Sequence, residues 1–549
     1  IYNFKELRSE LEELGHEFIS NSDTEVIVEG LSEFGVDFFE RFNGMFAIGA
    51  WNTVERKLFL SRDRYGTKPL YYWLNKNTFV FSSEIKAIIQ HSDYKMDVDL
   101  DALNEYFTFQ NIFSYNTLFK GVKIVPPSNT ISIDKKTNQI EHNSWWDFDF
   151  SNTDNSMSFE EAKSTTSKLF KQAVKRQMVS DVSIGSYLSG GIDSGSIASV
   201  ASKQVKRLPT FTCGFDMNKV TGREANFDER RDAEIIANHL KTEQYEQVMN
   251  SDDIKWALPK LIYHLEDLRL GMSYPNYYIS RLASKFVKVC LQGTGGDELF
   301  GGYPWRYYKV FDSVGQEDFF NQYYDFWQRL VDDKEKDALF KKAVLKKIDL
   351  EKPKMVFKRV FTFNKNLKYD NPEDFINNSL YFENKTFLSS LFLVGDKLSM
   401  ANGLEERFPF MDNDLVDFAM KIPVQHKLGD LRSRVTIINE NSGIEKNKYL
   451  RSSFGKYVLR QAISQFMPKS IITRKKQGFS SPEESWYRGE NAIYIKDTLL
   501  NAKTISTKFI KKSFIKRIID EHINQGKNHR LLIWSFLSFE VWCQTFLKD

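Results

Sequence analysis

One stretch of the chain combines residue types that suit phosphate binding at the end of a strand. Residues 182–188 have the apolar content of a short buried strand, and residues 194–205 are rich in small and apolar residues that favour a helix. Glycines let backbone N–H groups approach an anion closely, and a helix N-terminus adds partial positive charge. We therefore expect a phosphate cradle in the connecting loop, which reads Ser189-Gly190-Gly191-Ile192-Asp193-Ser194.

A simpler interpretation of this loop is an ordinary glycine-rich turn between a strand and a helix. Ser189 and Ser194 can donate hydroxyl hydrogen bonds, whereas Asp193 would repel phosphate unless a Mg²⁺ ion lies between them. No Gly-Lys-Ser/Thr follows, so the loop is not of the Walker type. It does resemble the pyrophosphate loop, Ser-Gly-Gly-x-Asp-Ser, of the ATP pyrophosphatases that adenylylate their substrates.

A second glycine-rich loop follows another predicted buried strand, residues 287–291. Because parallel strands end at the same edge of a sheet, we expect Asp297 in this loop to face Asp193 across one crevice. Two such carboxylates suit a Mg²⁺ ion that bridges ATP phosphates. Taken alone, Asp297 is equally compatible with a helix N-cap. The loop reads Gln292-Gly293-Thr294-Gly295-Gly296-Asp297-Glu298.

The elements around the two loops predict the fold class. From residue 159 strands and helices alternate, which predicts an α/β unit with a mostly parallel sheet, and beyond residue 303 the chain is largely helical. Residues 45–82 indicate an antiparallel meander, and residues 121–133 indicate one more hairpin. Residues 407–412 are interpreted as a rigid turn that packs the helical region onto the sheet. The last apolar stretch, residues 530–546, predicts a packed helix.

Length and composition limit the possible classes of protein. A chain of 549 residues exceeds one core, and we divide it into residues 1–150, a polar linker at residues 151–158, and residues 159–549. With 76 Lys plus Arg against 73 Asp plus Glu, the net charge of +3 gives no support for a nucleic-acid or membrane partner. Cys213, Cys290 and Cys543 lack metal-ligand spacing, so we expect reduced core thiols in a cytoplasmic protein.

Several further motifs carry a resemblance to one family. The two loops and these motifs, in this order along nearly the whole chain, resemble the class B, glutamine-dependent asparagine synthetases. The motifs in the synthetase part are Asp228-Glu229, Leu265-Glu266-Asp267, residues 395–401, residues 405–412, residues 455–460 and residues 474–479. Those in the front part are Ile1-Tyr2-Asn3, residues 22–25, residues 44–47, residues 62–66 and residues 82–84.

The resemblance implies a fold and a reaction. The fold would be an incomplete α+β Ntn-type glutaminase domain with antiparallel sheets, followed by an α/β ATP-pyrophosphatase domain with a parallel sheet and a helical C-terminal region. Glutamine would be hydrolysed in the first domain, and its ammonia would pass through an internal tunnel. In the second domain a carboxylate would attack ATP, release pyrophosphate and form an acyl-adenylate, from which ammonia would displace AMP. Family members are often dimers, so a homodimer is possible.

The same resemblance implies roles for particular residues. Ser189, Gly190, Gly191, Asp193 and Ser194 would hold pyrophosphate; Asp193 and Asp297 would hold Mg²⁺; Leu188, Cys213, Gln292 and Gly293 would contact adenosine. Lys456 would stabilise charge on the phosphates, although without the family match a solvated helix lysine would be the preferred interpretation. Lys476 and Arg474 share this status with weaker support. Asp23 would hold the α-amino group of glutamine and could also be an N-cap.

The sequence departs from the family pattern at two places. It begins at Ile1, just after the position of the family's Asn-Gly-Glu, and lacks the nucleophilic cysteine. We interpret this as a clipped sequence, and we expect the complete protein to carry a cysteine directly after its initiator methionine. Second, Thr294 stands where asparagine-making members have a glutamate, and a hydroxyl has no general-base strength near neutral pH.

Three functions are compatible with these observations. The first is an ATP-dependent ligase that makes asparagine from aspartate with glutamine or ammonia. The second uses the same chemistry on another carboxylate, such as a sugar uronate in surface-polysaccharide synthesis, and Thr294 is the residue that raises it. The third is a catalytically silent homologue that binds nucleotide. The intact Asp193, Asp297 and Lys456 speak against silence.

Overall fold

The N-terminal region begins with two helices that pack on each other. The computed structural model describes residues 1–547 except 77, 136–138, 272, 430–454 and 474–479. Helix α1 covers Phe4–Glu13 and helix α2 covers Asp23–Phe34. The Ser22 side chain caps α2 by accepting from the backbone N–H of Thr24, so the cap is Ser22 and not Asp23.

Two antiparallel sheets follow these helices, where the sequence predicted one meander. The first sheet has the order β1-β2-β6-β7 and the second the order β4-β3-β5. The hairpins β1–β2 and β3–β4 form as predicted, but β2 and β3 lie in different sheets. The strands are β1 Ala47–Asn52, β2 Lys57–Arg62, β3 Tyr71–Leu74, β4 Phe79–Ser82, β5 Val122–Ile124, β6 Asn129–Asp134 and β7 Ile140–Ser144.

The turn after β2 is the physical reason for this split. The buried carboxylate of Asp63 accepts backbone N–H bonds from Tyr65, Thr67 and Lys68, at 3.1, 2.9 and 2.9 Å. This closed turn carries the chain away from the first sheet before β3 begins. The predicted hairpin over residues 121–133 is also wrong, because β5 pairs with β3 whereas β6 pairs with β2 and β7.

A parallel five-stranded sheet forms the centre of the second region, as predicted. Its order is β10-β9-β8-β11-β12, and every neighbouring pair is parallel. This arrangement brings the carboxyl ends of β8, β9 and β11 to one edge, where loops can share a ligand. The strands are β8 Ile184–Tyr187, β9 Pro209–Phe215, β10 Glu243–Met249, β11 Val289–Leu291 and β12 Glu405–Arg407.

Strand β12 corrects the interpretation of residues 407–412 as a turn. Arg407 ends this edge strand, and its guanidinium donates to the carbonyl oxygens of Gln177 and Val179 at 2.7 and 2.8 Å. Only the 3₁₀ turn Pro409–Met411 fits the predicted turn, and Asp412 then caps the next helix. The three-residue strand is held by partners far away in sequence, which local patterns do not reveal.

Helices cover the parallel sheet and form the C-terminal region. The predicted last helix, Arg530–Phe546, is confirmed and is mostly buried. No helix in the described part of the chain is both long and apolar enough to cross a membrane. The remaining helices are α3 Ile85–Ile88, α4 Leu100–Phe109, α5 Phe159–Gln177, α6 Ile192–Ala201, α7 Arg230–Leu240, α8 Asp252–Leu265, α9 Tyr274–Ala283, α10 Gly296–Phe300, α11 Pro304–Tyr307, α12 Gly315–Trp327, α13 Lys336–Leu339, α14 Lys342–Leu345, α15 Lys352–Val360, α16 Pro372–Phe382, α17 Ser389–Met400, α18 Asn413–Lys421, α19 Val424–Leu428, α20 Tyr457–Ile463, α21 Lys469–Ile472, α22 Glu483–Arg488, α23 Ala492–Leu499, α24 Lys512–Ile523 and α25 Arg530–Phe546.

The largest hydrophobic cluster joins the two regions of the chain. Tyr65 and Phe109 from the N-terminal region lie in the same buried cluster as Phe170 and Phe408 from the second region. A salt bridge between Lys68 and Asp396, at 2.5 Å, also joins the two regions. The N-terminal region is therefore packed directly against the part of the molecule that carries the two glycine loops.

Candidate active site

The first glycine loop is closed by its own serine side chains. Strand β8 ends at Tyr187, and helix α6 begins at Ile192 after the N-cap Gly191. The hydroxyl of Ser194 accepts from the backbone N–H of Ser189 at 3.0 Å, and the Ser189 hydroxyl accepts from the N–H of Gly191 at 3.2 Å. These bonds curl the backbone around the N-terminus of α6, which is the geometry expected of an anion cradle.

The second glycine loop is held by contacts with distant parts of the chain. Gly295 has a φ of +103°, and a Cβ at this position would lie 2.6 Å from the sulfur of Met411. The backbone N–H of Gln292 donates to the carbonyl oxygen of Arg407 at 2.8 Å. A Cβ on Gly302 would collide with the carboxylate of Asp297. Glycine is therefore required at Gly295 and Gly302 for the loop to close around Asp297.

The two loops touch, and a buried lysine lies where they meet. A Cβ on Gly296 would lie 2.7 Å from Oδ1 of Asp193, so the second loop runs directly over the first. The ammonium nitrogen of Lys456 lies 2.5 Å from Oδ2 of Asp193 and 2.5 Å from Oδ1 of Asp297. The expected facing of the two aspartates is thus present in the structure, with a cation between them.

Lys456 is held in place by its backbone. Its φ of +59° turns the chain just before helix α20, and its N–H donates to the carbonyl oxygen of Phe300 at 3.2 Å. Its side chain is only 1% exposed, which contradicts the interpretation as a solvated helix lysine. A buried ammonium with two carboxylate partners is a fixed positive charge at the crossing of the loops.

The residues present fit a Mg²⁺ ion that is bound together with phosphates. Oδ1 of Asp193 is buried and accepts no hydrogen bond within the described part of the chain, so it retains the capacity to bind a cation. The described residues hold no cluster of three or more His, Cys, Asp or Glu suited to a metal. Asp193 and Asp297 would therefore supply the protein ligands, and phosphate oxygens would complete the coordination, as is usual for Mg²⁺.

The residues predicted to contact adenosine lie at neighbouring strand ends. Leu188 is buried after β8, and its backbone N–H donates to the carbonyl oxygen of Phe211 at 2.9 Å. Cys213 lies on the adjacent strand β9, and burial raises the pKa of its thiol. Gln292 and Gly293 follow β11, and a Cβ on Gly293 would lie 3.0 Å from the backbone nitrogen of Ser194. These four residues are brought together at one edge of the sheet.

Thr294 lies half-buried in the turn of the second loop, three residues after the end of β11. Glu298, further along this loop, is buried and accepts a hydrogen bond from the hydroxyl of Tyr303 at 3.0 Å. Burial and the neighbouring charge of Asp297 raise the pKa of Glu298 to about 7. At position 294 itself the second loop presents a neutral hydroxyl and no carboxylate.

Asp23 lies apart from the two loops. It begins α2, whose buried side chains belong to a separate hydrophobic cluster with Leu7 and Phe38. Its carboxylate is 41% exposed. The candidates Arg474 and Lys476 lie outside the described residues.

One buried acidic residue near the second loop was not singled out by the sequence reasoning. Glu406 lies in the middle of β12, is 2% exposed, and accepts a hydrogen bond from the hydroxyl of Tyr187 at 3.0 Å. The residues around it read Leu404-Glu405-Glu406-Arg407-Phe408, which carries no alternating strand pattern. Its burial follows from strand pairing, so the sequence offers little signal for it.

Comparison with known proteins agrees with this architecture. Residues 1–146 match the family described as glutamine amidotransferase domain, and residues 165–544 match the family described as asparagine synthase. Together with the antiparallel sheets in front and the parallel sheet behind, these matches define a ligase-type amidotransferase. The chain belongs to the asparagine synthase family.

Relatives in this family are similar over most of the chain. Asparagine synthetase (glutamine-hydrolyzing) 1 of Bacillus subtilis (strain 168) is 28% identical and covers 99% of this chain and 84% of the relative. Asparagine synthetase (glutamine-hydrolyzing) 3 of the same strain is 29% identical and covers 89% and 75%. Amidase chry2 of Gibberella zeae is 23% identical and covers 96% and 82%.

Proposed function

We propose that this enzyme activates a carboxylate with ATP as an acyl-adenylate and then converts it to an amide. The carboxylate oxygen attacks the α-phosphorus, pyrophosphate leaves, and ammonia then displaces AMP from the acyl carbon. The observation that carries this proposal is Lys456, held 2.5 Å from Asp193 and 2.5 Å from Asp297 where the two glycine loops meet. A fixed cation at this place stabilises the negative charge that develops during adenylylation.

The first loop would bind the pyrophosphate part of ATP. The hydroxyls of Ser189 and Ser194 and the backbone at Gly190 and Gly191 surround the N-terminus of α6. Asp193 and Asp297 would hold Mg²⁺, which would supply positive charge to neutralise the phosphates. Lys456 would then exchange some of its contacts with the two aspartates for contacts with phosphate oxygens.

Leu188, Cys213, Gln292 and Gly293 would bind the adenosine part of ATP. Their support is their position at the adjoining ends of β8, β9 and β11, next to the pyrophosphate loop. In parallel sheets of this kind the ligand lies outside the carboxyl ends of the strands. The half-buried thiol of Cys213 and the apolar Leu188 suit contacts with the faces of an adenine ring.

We take L-aspartate as the first acceptor to test, with asparagine as product. The names of the two Bacillus subtilis relatives support this choice. Thr294 supports the second candidate, the same chemistry on another carboxylate such as a sugar uronate, because position 294 offers no carboxylate to recognise or assist aspartate. The Gibberella zeae relative, named an amidase, also differs in name from the asparagine synthetases.

The nitrogen would come from glutamine in the N-terminal region or from free ammonia. Asp23 would hold the α-amino group of glutamine; its carboxylate is 41% exposed, so a ligand can reach it. We keep the division into residues 1–150, 151–158 and 159–549 as part of the proposal, since the family matches end at residue 146 and resume at 165. The free thiols of Cys213, Cys290 and Cys543 fit a cytoplasmic location, and a homodimer is to be tested by light scattering.

The experiment is acceptor-dependent pyrophosphate release from ATP with Mg²⁺ and ammonium. Aspartate is supplied first and a panel of uronates second, and the amide product is identified by mass spectrometry. Aspartate-dependent release with asparagine formation would establish the first candidate. Release only with another acid would reassign the acceptor, and binding of ATP without release for any acid would show a non-catalytic homologue.

A further inference from the structure

Glu406 lies on the face of the parallel sheet that adjoins the second glycine loop. It pairs in register with Cys290, and Gln292 follows Cys290 by two residues. Because side chains alternate along a strand, Glu406, Cys290 and Gln292 share one face of the sheet. Ser186 pairs with Leu291, and both lie on the opposite face of the sheet. The next residue after Ser186, Tyr187, therefore lies on the same face as Cys290 and Gln292. The buried carboxylate of Glu406 is thus level with Cys290, one residue before the end of β11, after which the second loop begins.

One oxygen of the Glu406 carboxylate has a partner and the other has none. Oε1 accepts from the hydroxyl of Tyr187 at 3.0 Å. Oε2 is buried and forms no hydrogen bond with the residues that the structure describes. A Cβ on Gly395 would lie 2.6 Å from Oε2 and 3.7 Å from Oε1 of Gln292. Two acceptor oxygens therefore lie near the same backbone position of α17, and a buried acceptor of this kind requires a donor.

The surroundings of Glu406 bring the pKa of its carboxyl group close to neutral pH. Burial raises its pKa to about 7, the hydrogen bond from Tyr187 lowers it, Asp396 raises it and Lys68 lowers it. The titratable and charged groups that face it are Tyr187 and Cys290 from the sheet, Asp396 from α17 and Lys68 from the N-terminal region. Lys68 is paired with Asp396 at 2.5 Å, so it does not neutralise Glu406 directly.

We propose that Glu406 binds the ammonium ion that supplies the amide nitrogen and takes one of its protons. This inference rests on the proposed function and names the group that handles its nitrogen substrate. Ammonium would donate to Oε2 of Glu406 and to Oε1 of Gln292, the two oxygens beside Gly395. The apolar and aromatic neighbours of this face, which include Phe211 and Leu404, exclude water that would compete for these oxygens.

The chemical step balances with the groups named. One N–H bond of ammonium breaks and its proton passes to Oε2, which leaves neutral ammonia with a free electron pair. This pair forms the C–N bond at the acyl carbon, the bond from that carbon to the AMP oxygen breaks, and AMP leaves with the bonding electrons. The second proton leaves the nitrogen for the released AMP or water. Glu406 loses its proton to water before the next turnover.

Glu406 would thereby supply a carboxylate that the second loop lacks. Thr294 offers only a neutral hydroxyl in that loop, whereas Glu406 places a carboxylate beside Gln292, two residues earlier in the same loop. A base with a pKa near the working pH is the most effective at proton transfer. The sheet, and not the loop, would provide the base.

The test compares the wild-type enzyme with Glu406→Gln, which keeps the shape but cannot take a proton. Acceptor-dependent exchange of labelled pyrophosphate into ATP, measured without ammonium, should be unchanged. Amide formation from ammonium should fall about 10²-fold, the usual contribution of a general base. Amide formation from hydroxylamine, which is largely unprotonated at neutral pH, should fall little. The matched control is Glu405→Gln, because Glu405 is 40% exposed and pairs with Arg407 at 2.6 Å.

The pH profile provides a readout that a merely structural role would not change. In the wild type, the rate at a fixed total ammonium concentration should rise to about pH 7 and then level off, as Glu406 ionises. In Glu406→Gln only free ammonia reacts, so the rate should keep rising about tenfold per pH unit up to the pKa of ammonium. Parallel profiles for the two enzymes would overturn the proposal, as would an equal loss with ammonium and hydroxylamine.

A binding measurement separates this proposal from the proposed function. Infrared difference spectra should show that ammonium chloride, compared with sodium chloride at pH 7, ionises one protonated carboxyl group in the wild type but not in Glu406→Gln. Absence of that difference would refute an ammonium site at Glu406. If none of the acids tested supports pyrophosphate exchange by the wild type, the proposed function fails. The infrared result alone then decides whether ammonium binds at Glu406.

Discussion

The two glycine loops that meet at Lys456 are built in different ways. The first loop is closed by hydrogen bonds among Ser189, Gly191 and Ser194, which lie within six residues of one another. The second loop depends on Arg407 and Met411, more than a hundred residues further along the chain. The first loop is thus a local structure, and the second is assembled only when the sheet and its covering turn have formed.

This difference explains why the cation comes from a third segment. Both loops deliver a carboxylate, and neither contains a lysine or arginine. Lys456 is held by the carbonyl oxygen of Phe300, at the end of the helix that follows the second loop. The position of the charge therefore depends on the second loop more than on the first, and variants can test this order.

Replacement of Lys456 by methionine should have the largest effect, because it removes the cation that contacts the aspartates of both loops. Pyrophosphate exchange should fall about 10³-fold, the scale of a lost electrostatic stabiliser in an active site. The control is Lys469→Met, since Lys469 is exposed on the following short helix. Normal unfolding of Lys456→Met by urea would show that the loss lies in catalysis, and near-normal exchange would contradict the role given to Lys456.

Alanine substitution of one glycine in each loop should distinguish the first loop, which is closed by local hydrogen bonds, from the second loop, which depends on distant contacts. Gly295→Ala places a Cβ at a φ of +103° and 2.6 Å from the sulfur of Met411, so it should destabilise the protein by about 1–3 kcal/mol. Gly191→Ala, at a φ of −86°, meets only the hydroxyl of Ser189 at 3.0 Å and should have a smaller effect. Urea unfolding measures both. Equal losses of stability would show that the second loop is not the more constrained.

The second loop adjoins a further buried carboxylate, that of Glu383, which should make the stability of the protein depend on pH. Burial raises the pKa of Glu383 to about 7, and Glu298 contributes to this shift. Between pH 4.5 and 7 the folded state retains a proton that the unfolded state has lost, so stability falls as the pH rises. Glu383→Gln, which carries no charge, should therefore gain stability relative to the wild type on going from pH 5 to pH 8. A constant difference in melting temperature between the two proteins would refute this.

Much of the fold and of the candidate site could be predicted from local sequence. The strand before Ser189, the helix after it and the order of alternating elements follow from patterns of neighbouring residues, and the structure confirms them. Strand pairing was less predictable. The meander divided into two sheets because the turn at Asp63 redirects the chain, and no periodicity in residues 45–82 reports where a strand finds its partner.

Two side-chain positions in the candidate site could not be derived from local sequence patterns, because they depend on long-range placement. Local sequence around Lys456 shows only a lysine before a helix, and its position between two aspartates arises from the left-handed backbone at this residue and its bond to Phe300. Glu406 resembles a surface residue in the sequence, and pairing with β11 buries it. A three-residue strand has too few positions to display an alternating pattern.

The central claim is that a carboxylate attacks ATP to form an acyl-adenylate, and an isotope measurement tests it most directly. The acceptor that supports pyrophosphate release is labelled with ¹⁸O in its carboxylate and incubated with ATP, Mg²⁺ and ammonium. The mechanism predicts one ¹⁸O atom in the phosphate of the AMP formed, because the bridging oxygen leaves with AMP. AMP without label, or release of ADP and phosphate in its place, would contradict the account.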